Sequence, residues 1–231
     1  MTQTPSRARR PAGPRRSRSR APLILGIAIA AIVVVALVIA VAIGGGDDDT
    51  ATSGDNGTGS DAATTGTVVA SGTPLPQLDD PDNDPAVGMT FPTLTGVNQE
   101  GDPMTIEPDG RPKMVLFLAH WCPHCQREVP LVQKWVDDGN LPEGVDLVSV
   151  STAIDPSRPN YPPDAWLARE GWTSPVLVDA DGTAATATGL PAYPYFVAID
   201  ADGKVVQRTS GEKSTDQLDA IAGEIAGTAG S

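Results

Sequence analysis

Apolar and polar positions divide the chain into three regimes. Leu23 to Ile43 is an unbroken run of Leu, Ile, Val, Ala and one Gly26, with no charge. At about 1.5 Å rise per residue such a run spans a ~30 Å hydrocarbon core, and predicts a transmembrane helix over 22–43. Residues 44–85 are Gly, Ser, Thr and Asp without an aromatic residue or an apolar period. Such a stretch reads as a disordered linker, and its short Val68-Val69-Ala70 run is too small to change that. From 86 to 228 the pattern becomes that of one domain of ordinary size.

Within that domain strand and helix patterns alternate. Leu94 and Met104 to Ile106 flank a turn at Asn98 to Asp102, which predicts a hairpin. Met114 to Ala119 reads as a buried strand, followed by a helical pattern in which Cys125, Val129, Val132 and Val136 recur at spacings of four, three and four. Pro130 falls inside that helix and should kink it. Val145 to Val150 predicts a second strand, parallel to the first because a helix lies between them. Pro163 to Glu170 predicts a helix, Pro175 to Val178 a strand and Thr183 to Thr188 a short helix. Tyr195 to Ile199 and Val205 to Thr209 enclose Asp200-Ala201-Asp202-Gly203, a hairpin turn signature. Ser214 should cap a last helix carrying Leu218, Ile221 and Ile225 on one face. The expected class is α/β, a central mixed sheet flanked by helices.

Charge adds a direction across the membrane. Seven of the 16 Lys and Arg lie in residues 1–20, an Arg-rich tail without acids, leaving nine against all 29 acids in the remainder. Positive flanks stay cytoplasmic, so the tail belongs inside and the domain outside the cell membrane, single-pass. Ala40-Val41-Ala42 resembles a signal-peptide cleavage site, but the apolar run exceeds the usual ~7–15 residues of such signals, which favours an uncleaved anchor. The acidic balance argues against nucleic acid as a partner.

The chemistry concentrates in Trp121-Cys122-Pro123-His124-Cys125, which holds the only two cysteines. At a helix start Cys122 meets unpaired N–H groups and the positive end of the helix dipole, which favour a thiolate. Cys125, one turn further, is expected to be shielded. One exposed nucleophile and one resolving thiol make a dithiol–disulfide couple, with no cofactor beyond a Cys122–Cys125 disulfide. A zinc site would need a second Cys/His pair, and haem attachment would need His where Gln126 stands. A copper or zinc chaperone using Cys122, Cys125, His120 and His124 is the alternative from another class.

These residues resemble the thioredoxin superfamily, in particular its membrane-anchored TlpA/ResA-like branch, over nearly all of 86–228. Trp121-Cys122-Pro123-His124-Cys125 with Arg127, Glu128 and Pro130 is similar to that branch's W-C-x-x-C-x-x-E-x-P. Pro194 to Asp200 and then Asp202-Gly203 are similar to its P-x-x-F-x-I-D-x-D-G. The resemblance implies a thioredoxin fold and makes Pro194, rather than Pro191, the cis-proline beside the disulfide. It implies a substrate groove lined by Trp121, Tyr193 and Pro194, protein substrates with thiols or disulfides, and a membrane redox partner that resets the pair. That partner would be a quinone-linked oxidase for an oxidant, or a transmembrane electron carrier for a reductant serving, for example, cytochrome c maturation. The sequence departs from the pattern in three places. Pro123-His124 is the dipeptide of DsbA-type oxidants, Tyr193 stands where Thr or Val is common, and Leu116 replaces the buried acid of thioredoxins. With His124 and Pro123 tuning the thiolate, the expected direction leans towards disulfide formation.

Overall fold

A computed structural model describes residues 66–227. The Arg-rich tail, the expected membrane span and most of the expected linker lie outside the described residues. Eight strands and four α-helices follow in the order β1 (Val69–Ser71), β2 (Thr93–Val97), β3 (Pro103–Ile106), β4 (Lys113–Leu118), α1 (Pro123–Asp137), β5 (Asp146–Thr152), α2 (Pro163–Arg169), β6 (Val176–Asp179), α3 (Thr183–Ala187), β7 (Tyr195–Ile199), β8 (Val205–Ser210) and α4 (Thr215–Ala226). The central sheet has the order β6-β5-β4-β7-β8. Strands β4, β5 and β6 run parallel, β7 pairs antiparallel with β4, and β8 pairs antiparallel with β7. This is the mixed α/β sheet expected of a thioredoxin-like fold.

Strand β4 shows why its sequence is apolar without alternation. Its residues are all buried, yet they point to two different cores. Met114, Leu116 and Leu118 join Cys125, Val129, Val132 and Trp135 of α1 and Leu218, Ile221 and Ile225 of α4. Val115 and Phe117 face the other way, onto Leu94, Ile106, Tyr195, Val197 and Ala184. Side chains alternate across a strand, so a strand covered on both faces must be apolar at every position. The site at its C-terminal end is thereby held from both sides. The α4 cap is reciprocal: the Ser214 hydroxyl accepts from the Gln217 N–H, and the Gln217 side chain accepts from the Ser214 N–H.

The linker reading fails at its second half. Residues 66–85 are part of the fold, with Val68, Leu75 and Leu78 each at most 4% exposed in the second core. Val69 to Ser71, overlapping the Val68-Val69-Ala70 run read as too small to matter, form β1 and pair antiparallel with β2 to give a three-stranded sheet β1-β2-β3. Leu75 and Leu78 donate backbone hydrogen bonds to Ala187 and Gly189. Gly189 has φ +65°, and a Cβ there would sit 2.1 Å from the Pro76 carbonyl oxygen, so only glycine permits this approach. Asp84 closes the segment by pairing with Arg208 of β8, both side chains being fully buried. Three apolar residues scattered over a Gly/Pro/Asp-rich stretch leave no period to detect. The backbone bonds of Leu75 and Leu78 reach residues more than a hundred positions further along the chain.

Candidate active site

Cys122 is the N-cap of α1, with extended backbone (φ −76°, ψ 120°), and Pro123 occupies the first helical position. Proline fits there because its missing N–H would have no helical partner. The Cys122 N–H donates to the Ala119 carbonyl at 2.9 Å, which ties the end of β4 to the start of the helix. Both cysteines are free thiols. Cys122 is only 6% exposed, so the expectation of an openly exposed nucleophile is corrected: its neighbours Pro123 and His124 are exposed and the sulfur is recessed. Tyr193 borders the recess. The Tyr193–Pro194 bond is cis, and the Cys122 Sγ lies 3.8 Å from the Tyr193 carbonyl oxygen. Pro191 stands half-buried, three residues before. A second cis bond, Tyr161–Pro162, was not anticipated.

Trp121 forms one wall. Its indole N–H donates to the Ala153 carbonyl at 2.8 Å, and its ring meets Tyr193 edge-on with centroids 6.0 Å apart. The Arg158 guanidinium lies 4.4 Å from the ring centroid. Arg158 comes from the β5–α2 loop, a contributor with no local signal in the sequence.

Beneath the surface thiol, Cys125 is fully buried, and burial pushes its thiol well above the usual range. Leu116 packs in the same core and supplies no proton acceptor. The acid comes from the helix instead. Glu128, one turn beyond Cys125, is 1% exposed, and burial pushes its carboxyl up to about 7. The Lys213 backbone N–H donates to both of its carboxylate oxygens at 3.1 Å, and the Lys213 ammonium charge opposes the upward shift. A carboxyl that titrates near neutral pH beside a buried thiol can accept and return the thiol's proton. Glu128 was visible in the sequence as part of the motif. Its role was not, because a single Glu on an apolar helix face carries no label.

His124 points to Glu212. The two groups are 2.6 Å apart, Nδ1 to Oε1, and Arg127 reaches the same carboxylate. The Arg127 and His124 partners hold Glu212 down at about 2. His120 is committed elsewhere: its Nδ1 lies 2.7 Å from the Pro159 carbonyl, and its Nε2 accepts from the Asp155 N–H at 3.2 Å. The four metal ligands of the chaperone reading therefore do not converge. Among the described residues no group of three or more His, Cys, Asp or Glu side chains is placed to hold a metal ion.

A recessed thiol at a helix N-terminus, a buried partner thiol with its own acid and a cis-proline wall form a site for dithiol–disulfide exchange. Comparison with known proteins agrees. The chain is 24% identical over 134 residues to the thiol-disulfide oxidoreductase ResA of Bacillus thuringiensis subsp. konkukian, covering 58% of this chain and 75% of that one. It is equally identical, over 134 residues, to the sporulation thiol-disulfide oxidoreductase A of Bacillus subtilis, covering 58% of this chain and 78% of the relative. The crystal structure of a putative thiol:disulfide interchange protein DsbE from Chlorobium tepidum superposes with a TM-score of 0.51 at 20% identity, covering 62% of this chain and 98% of that one, which shows the shared thioredoxin-like fold. The model of the redoxin family matches residues 86–224, and the chain belongs to that family.

Proposed function

We propose that this thiol–disulfide oxidoreductase is anchored in the cell membrane by residues 22–43 and works outside it as a reductant of protein disulfides. The Cys122 thiolate attacks one sulfur of a substrate disulfide and displaces the other as a thiolate, forming a mixed disulfide. Cys125 then gives up its proton towards Glu128 and attacks Cys122 Sγ. The second substrate thiolate leaves, and the two electrons taken by the substrate remain balanced by a Cys122–Cys125 disulfide. Trp121, Tyr193 and Pro194 line the groove where the substrate chain lies. A membrane dithiol carrier resets the pair.

The burial of Cys125 carries the direction. As an oxidant the protein would have to expel Cys125 as the leaving thiolate, and thiols with high pKa leave slowly. As a reductant it uses Cys125 towards substrates as an intramolecular attacker whose proton has a nearby acceptor, and expels it only in the reset by the dedicated membrane carrier. This moves the reading away from the disulfide formation that the Pro123-His124 dipeptide suggested. Names carried by the Bacillus relatives support the oxidoreductase class and are neutral on direction.

Trapping tests the assignment. Cys125→Ser, expressed in the full chain, should accumulate mixed disulfides with partner proteins, visible as high-mass bands lost on reduction. Cys122→Ser should not. Equal trapping by both variants would overturn the roles given to the two thiols.

A further inference from the structure

The loop between β8 and α4 touches the active site with three consecutive residues. Gly211, at φ +83° in the left-handed region, donates its N–H to the carbonyl of the cis-proline Pro194 at 2.8 Å. Lys213 donates its N–H to the carboxylate of Glu128, and its ammonium group donates to the Ser210 carbonyl at 2.8 Å. Between these two anchors the Glu212 side chain extends towards the first turn of α1. There it meets His124 Nδ1 at 2.6 Å and the Arg127 guanidinium, whose Nε lies 3.1 Å from both carboxylate oxygens.

Glu212 is an acceptor only, so the 2.6 Å contact places the proton on His124 Nδ1. Arg127 also approaches that nitrogen, at 3.0 Å, but with Nδ1 protonated the guanidinium finds its acceptor in the shared carboxylate. Arg127 lies within electrostatic range of the Cys122 sulfur. The two groups that could stabilise a Cys122 thiolate through positive charge or N–H donation are thus both turned onto one carboxylate.

We propose that Glu212 is a positioning residue that restrains the oxidising power of the Cys-Pro-His-Cys site by neutralising Arg127 and fixing His124. The proposal rests on the reductive reading above and deepens it. The couple is a disulfide plus two electrons and one proton on one side, a Cys122 thiolate and Cys125 thiol on the other. Only the reduced side carries the Cys122 charge, so releasing the Arg127 charge and the His124 N–H from Glu212 stabilises the reduced side and makes the disulfide a stronger oxidant. All three side chains are more than a third exposed, so solvent and salt moderate the effect.

The test uses the full-length protein equilibrated with a dithiothreitol redox buffer at neutral pH. Glu212→Gln should raise the dithiol-to-disulfide ratio roughly tenfold at a fixed buffer, equivalent to about 30 mV. Adding E212Q to a His124→Gln/Arg127→Gln background should leave the ratio unchanged. In parallel, imidazole 15N signals of His124 should show Nδ1 protonated in the wild type, with that signature lost in Glu212→Ala, which leaves no acceptor at this position. A shift below about threefold in the single variant, or an equal shift in the background lacking both partners, would overturn the proposal. If the wild type does not exchange with the buffer at all, the redox reading falls. The clamp is then decided by the imidazole signals, and an unchanged His124 signature in Glu212→Ala overturns it.

Discussion

Glu128 and Cys125 lie one helical turn apart on the buried side of α1, and in the proposed exchange a proton passes from the thiol towards the carboxyl. With its carboxyl at about 7, Glu128 is protonated below that pH and ready to accept above it. The resolving step should therefore accelerate as pH rises through about 7. In Glu128→Gln the inflection should vanish and the rate above neutrality should fall on the order of tenfold to a hundredfold, as read by stopped-flow reduction of a peptide disulfide. Stability follows the same proton with the opposite sign. The folded carboxyl binds its proton more tightly than the unfolded one, so this group costs nothing below about 4.5, and the cost grows until pH passes about 7. E128Q should consequently gain stability relative to wild type by roughly 3 kcal/mol as pH rises from 4 to 8. A pH-independent stability difference would show that Glu128 titrates with an ordinary pKa. The CxxC pair was legible at this scale because its meaning is local, a spacing of three at a helix start. Glu212 and Arg158 were not, since Glu212 reaches His124 across 88 residues of sequence and only the folded loops bring them together.

Elements with a period of their own were readable from the pattern. The buried run of β4, the β7–β8 hairpin around Asp200 to Gly203 and the Ser214-capped α4 all appear where the sequence places them. What escaped was the segment before residue 86, because it is held by tertiary contacts rather than by its own periodicity. Val68, Leu75 and Leu78 each insert singly, and the strongest tie is the Asp84–Arg208 pair. Arg208 also donates to the carbonyls of Pro76 at 2.8 Å and Thr188 at 3.0 Å, so one guanidinium staples the N-terminal segment to β8 and to the end of α3. Breaking a buried pair from one side leaves an uncompensated charge. Asp84→Ala should cost about 3–5 kcal/mol in urea unfolding, whereas a change at exposed Asp79 should cost less than about 0.5 kcal/mol. Equal, small effects at both positions would mean that 66–85 is not integral to the domain.

For the whole molecule, the sheet serves as a platform that brings four distant stretches to one edge. These are the α1 start with the two thiols, the β5–α2 loop with Arg158, the cis-proline before β7 and the Gly211–Lys213 loop after β8. On the function proposed above, Cys122 and Cys125 form one reversible two-electron couple poised for reduction. The most direct measurement is the reduction potential of the full-length wild-type protein against a dithiothreitol buffer, followed by tryptophan fluorescence and thiol alkylation together. A single two-electron transition near −270 mV, the value typical of thioredoxin, is expected. A value above about −200 mV, or thiols that never interconvert with a disulfide across the whole buffer range, would contradict it.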